Sequence, residues 1–68
     1  MQLTAVLISA PEGGYTAHNP ETQTVSQGAT IEEAIENLKE AVTVYLEVFP
    51  MGSASPPIVT MITVPEHA

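Results

Sequence analysis

The chain has 68 residues, with eight acidic side chains against one basic one and a net charge of −7 when both histidines are neutral. Every acid is glutamate, the base is Lys39, and cysteine, aspartate and arginine are absent. Such a chain has no means of neutralising phosphates, forming disulfides, offering thiolates to a metal or building an aspartate-rich calcium loop, and its length allows a single domain, residues 1–68.

Gln2 to Ser9 reads QLTAVLIS. It is rich in Leu, Val and Ile and alternates only loosely, which suits a strand partly covered on both faces. Pro11-Glu12-Gly13-Gly14 is a turn, and Tyr15 to Asn19 a second strand that closes a hairpin with the first. Asn19-Pro20-Glu21-Thr22 makes another turn, and Gln23 to Ser26 a third short strand. Gly28 lets the chain leave the sheet.

Thr30-Ile31-Glu32-Glu33 has the form of a capping box. The Thr30 hydroxyl accepts from the Glu33 amide, and the Glu33 carboxylate reaches back to the Thr30 amide. The helix that follows carries its apolar face on Ile31, Ala34, Ile35, Leu38, Ala41, Val42, Tyr45, Leu46 and Phe49, in the three-and-four steps of an amphipathic helix. Pro50 disfavours helical angles at Phe49, so the helix is expected to end near Val48. Met51 to Pro57 reads as a linker. Ile58 to Val64 reads as a final strand, stopped by Pro65 and joined to a sheet edge in the same chain or a neighbouring one. The expected fold is α+β in the order β-β-β-α-β, an antiparallel sheet covered on one face by a single long helix.

With 44% hydrophobic residues the chain is too apolar for a disordered acidic tail. Short scaffolds lacking both disulfide and metal gain burial by association. Self-association is therefore expected through the last strand and the flank of the helix, with Val44, Val48, Ile58, Met61 and Ile62 as interface candidates. No basic side chain precedes the first apolar run, which breaks at Pro11, and no stretch approaches a bilayer span. A cytoplasmic protein is the expectation.

Few residues are placed for chemistry. Glu12 and Glu21 lie in turns at either end of the second strand and read as solvated turn residues. His18 and His67 lack metal-ligand spacing, and the glycines serve turns rather than a phosphate loop. No catalytic residue, cofactor or metal is expected. The informative feature is a stripe of Glu32, Glu36, Glu40 and Glu47 opposite the apolar face. The pairs Glu32/Glu36 and Glu36/Glu40 each cost about 0.2–0.5 kcal/mol by like-charge repulsion, and Lys39 relieves only Glu36. One reading is a face kept soluble by charge. The other is a docking surface for a basic protein.

The segments Gly13-Gly14-Tyr15-Thr16-Ala17, Pro20-Glu21, Ser26 through Ala41 and Tyr45-Leu46-Glu47 together resemble the HicB-like antitoxin domain. The likeness spans about the first two-thirds of the chain: a glycine-tyrosine strand, a proline-acid turn, and a G-x-T-x-E-E-A helix start leading to Y-L-E. The resemblance implies a partial ribonuclease-H-like fold and dimers or tetramers. It also implies a partner, a small basic RNA-cleaving toxin of HicA type, whose active histidine the antitoxin masks. The stretch between Pro20 and Gly28 is shorter than the family's usual one. Nothing after Pro65 is expected to bind an operator, so no direct contact with nucleic acid is expected. The alternative is a stand-alone oligomeric HicB-like domain with a structural or small-ligand role and no toxin partner.

Overall fold

The first hairpin is built by two glycines with positive φ, Gly13 at 105° and Gly14 at 81°, angles that side-chain-bearing residues rarely adopt. Two backbone bonds close the turn: Gly13 N–H donates to the Ala10 carbonyl and Ala10 N–H to the Gly14 carbonyl, both at 3.0 Å. In this computed structural model, which describes residues 1–50 and 57–66, the turn joins β1 (Val6–Ser9) to β2 (Tyr15–Asn19). They are followed by β3 (Thr24–Gly28) and α1 (Ile31–Val48). The sheet is antiparallel throughout, in the order β1-β2-β3, with Leu7 opposite Ala17 and Ala17 opposite Ser26.

That register sorts the side chains. Leu7, Tyr15, Ala17 and Asn19 point toward the helix, while Val6, Ile8, Thr16, His18 and Val25 point to the opposite face. The core is small: Ala17, Ala34, Leu38 and Val42 are buried, and Leu3, Leu7, Tyr15 and Leu46 pack against it. The helix lies over β3 and β2 and scarcely touches β1. Gly28 and Ala34 permit that close approach, and the Asn37 amide fixes it by donating to the Gln27 carbonyl at 2.8 Å.

The helix begins and ends where the sequence places it. Thr30 is the N-cap and accepts from the Glu33 amide at 3.1 Å. Glu33 reaches one residue further back than a capping box requires, accepting from the Ala29 amide at 3.0 Å. Phe49, at φ −124° and ψ 79° and so outside the helical region ahead of Pro50, is the C-cap. The buried stripe is narrower than the apolar stripe. Ile31, Tyr45 and Phe49 remain exposed, because a three-stranded sheet is too small to cover both ends of an 18-residue helix. Tyr45 and Phe49 instead face each other, with ring centroids 5.1 Å apart.

Two strands are shifted from expectation and one is missing. The first strand starts at Val6 rather than Gln2, because β2 stops at Asn19 and Pro20 has no N–H to extend the ladder. The third runs from Thr24 to Gly28 rather than from Gln23 to Ser26: Gln23 holds a left-handed turn conformation with φ 58°, and the pairing with β2 continues to Gly28 opposite Tyr15. The fourth strand, expected over Ile58–Val64, is not formed. Residues 57–66 carry no secondary structure and are exposed throughout. A single strand gains nothing without a ladder partner, and in the isolated chain this one has none. Most of the expected linker, residues 51–56, lies outside the described residues, as does His67.

Candidate functional site

Glu32, Glu36, Glu40 and Glu47 are all exposed on the solvent side of α1, as their spacing requires. Lys39 Nζ meets Glu36 Oε1 at 3.0 Å, with both side chains about two-thirds exposed. Among the described residues this is the one ion pair, so the remaining glutamates of the stripe form a negative ridge along the helix. Glu32 and Glu33 gain from the positive end of the helix dipole. Glu36, Glu40 and Glu47 do not, and only one of them has a cation beside it.

The interface candidates are likewise exposed. Val44 is 60% and Val48 64% accessible, while Ile58, Met61 and Ile62 exceed 80%. Val44 lies on the flank of the helix nearer β3, in a shallow hollow with Ser26 and Ala41. The last three belong to the unpaired segment.

Glu12 and Glu21 stand at opposite ends of β2, and the structure does not bring them together. Glu12 is exposed in the hairpin loop. His18 lies between Val6 and Val25 on the sheet face turned away from the helix, whereas Tyr15 packs into the core on the other face. The two therefore do not share a pocket. Among the described residues no group of three His or Glu side chains is placed to hold a metal.

Glu21 has a different role from the one its turn position suggests. Its carboxylate accepts from the Thr4 amide at 3.1 and 3.0 Å, from the Thr4 hydroxyl at 2.9 Å and from the Asn19 amide at 2.7 Å. Asn19, only 1% exposed, also donates to the Thr4 carbonyl and accepts from the Thr22 amide and hydroxyl. Side chains thus replace the ladder bonds that Pro20 denies to residues 1–5, and they clasp the N-terminal segment to the β2–β3 turn. Desolvation pushes the Glu21 pKa up, but the bonds from the Thr4 backbone, the Thr4 hydroxyl and the Asn19 amide outweigh it. The carboxyl titrates below the ordinary glutamate range.

A group with a depressed folded-state pKa stabilises the fold above its unfolded pKa, and that contribution is lost as pH falls through the lowered value. Glu21→Gln is therefore expected to lower the melting temperature at neutral pH, with the gap to the native chain closing on the acid side of the ordinary glutamate pKa. Parallel melting curves from pH 7 to pH 2 check it; a gap that does not change with pH contradicts the clasp. Asn19 followed by Thr22 is a local turn signal that points to part of this network. The tie to Thr4, far away in sequence, leaves no local trace.

Between residues 1–5 and α1 runs a groove of about 520 Å³, lined by Leu3, Ile35, Leu38, Val42 and Leu46 among others. Comparison with family models, with curated proteins and with solved structures finds no match to this chain. Among the described residues no helix is long and apolar enough to cross a membrane.

Proposed function

We propose that this protein is a non-catalytic, antitoxin-like module of the HicB-like kind, which binds and neutralises a small basic RNA-cleaving toxin of HicA type. The observation that carries the reading is the exposed acidic ridge of Glu32, Glu36, Glu40 and Glu47. A protein that cleaves RNA needs a cationic surface to hold phosphates. A rigid helix bearing carboxylates competes for that surface and steers the encounter by long-range attraction. The β-β-β-α order supports the same reading, as do the sequence features shared with HicB-like domains. On this view the mutual repulsion of the glutamates is retained for recognition at a cost to the isolated fold. The protein acts in the cytoplasm, where such a toxin meets its RNA.

The double variant Glu36→Gln/Glu40→Gln separates stability from binding. It removes two like-charge pairs and one exposed ion pair, so the isolated fold should gain a few tenths of a kcal/mol, about the size of one such pair. Association with a purified HicA-type toxin, followed by stopped-flow fluorescence, should slow, most clearly at low salt. An unchanged association rate at low salt would exclude the ridge as the docking surface.

A further inference from the structure

Three features converge on one edge of the sheet. β1 is an edge strand, and the helix leaves it largely uncovered. The groove between α1 and residues 1–5, which lead into β1, is lined by Leu3, Ile35, Leu38, Val42 and Leu46, with Lys39 and Thr43 beside them. Elsewhere in the same chain, residues 57–66 hold no secondary structure, with Ile58, Met61 and Ile62 exposed by 92%, 95% and 82%. The Cα radius of gyration is 14.1 Å, against about 11 Å for a compact chain of this length. An open edge, an open apolar groove and an unused apolar strand sequence therefore coexist in one molecule.

We propose that Ile58–Val64 of a second copy adds to the outer edge of residues 1–9 as a fourth strand, and that the exchange is mutual. Strand periodicity divides the segment into Ile58, Thr60, Ile62 and Val64 on one face and Val59, Met61 and Thr63 on the other. One face enters the groove beneath the helix. The other continues the open side of the sheet beside Ile8, itself 58% exposed. Pro57 and Pro65 bound the segment, where a strand ends naturally. Its seven residues extend to roughly 23 Å, within the reach of residues 1–9.

The second copy is the occupant for two reasons. The chain's own segment leaves the groove open, and a mutual exchange of identical segments closes into a two-fold dimer with no strand left over. It also enlarges a core that is small in the single chain. The acidic ridge lies on the solvent side of α1, and none of its glutamates lines the groove, although Lys39, the partner of Glu36, does. The exchange does not depend on the toxin-binding reading, and either stands if the other fails.

Sedimentation equilibrium of the full chain should give twice the 7.2 kDa chain mass. Ile62→Glu should sediment as a monomer while keeping its helical circular dichroism, since Ile62 contributes nothing to the core of the single chain. Because the chain has no cysteine, Thr63→Cys takes a unique spin label. Mixed with isotope-labelled native chain, it should broaden the amides of residues 2–9 in that unmodified chain. A monomeric native protein overturns the proposal. So does a dimer indifferent to Ile62→Glu, and so does broadening that falls on β3 or arises only within the spin-labelled chain itself.

Discussion

Leu38→Ala is expected to destabilise the fold by about 2–5 kcal/mol, the range for truncating a buried leucine. Leu38 is 4% exposed and is the largest of the buried apolar side chains, the others being Ala17, Ala34 and Val42. All three are smaller, so truncating Leu38 removes much of the core. A domain of this size has about 3–10 kcal/mol to lose, and the variant should be substantially unfolded at ambient temperature. Urea unfolding monitored by helical circular dichroism checks it. The midpoint should fall sharply with an unchanged slope, and a midpoint within error of the native value would mean that the helix is held by something other than this core.

Gly28→Ala should be nearly as damaging, for the opposite reason. A Cβ at Gly28 would lie 2.5 Å from the Ala34 nitrogen, 2.8 Å from the Glu33 carbonyl carbon and 2.9 Å from the Ala34 Cα. These are backbone atoms of the first helical turn, so relief requires the whole helix start to move off β3. Overpacking of this kind costs about 1–3 kcal/mol, and more where the obstacle is rigid. Gly13→Ala provides the contrast. A Cβ there meets nothing within 4 Å, and its penalty comes only from the positive φ. The helix-to-sheet contact, reported by the environment of Asn37 and Gln27, should be disturbed in the Gly28 variant and intact in the Gly13 variant. Equal disturbance in both would refute the close-approach account.

The parts of the structure legible in the sequence are those governed by local rules. The Gly13-Gly14 turn, the Thr30 cap, the stop before Pro50 and the Glu36–Lys39 pair each depend on residues within one turn of one another. Periodicity along α1 likewise identified Leu38 and Val42 as core. What was not legible depends on distant partners. The shortening of β1 follows from where β2 ends. The Glu21 clasp requires Thr4 to arrive from the other end of a hairpin. Gly28 reads as an exit from the sheet, although its decisive property is the helix pressed against it. The last strand shows the same limit most clearly: Ile58–Val64 has the composition of a strand, and composition alone does not supply the edge it needs. The acidic ridge, by contrast, was visible in full, since a helix face is set by spacing alone.

The proposed neutralisation of an RNA-cleaving partner is tested directly by an RNA-cleavage assay. A purified HicA-type toxin from the same genome is incubated with a labelled RNA while this protein is titrated in. Cleavage should stop near stoichiometric addition, and Glu36→Gln/Glu40→Gln should shift the titration to higher concentration at low salt. Undiminished cleavage in the presence of excess protein would contradict the antitoxin reading.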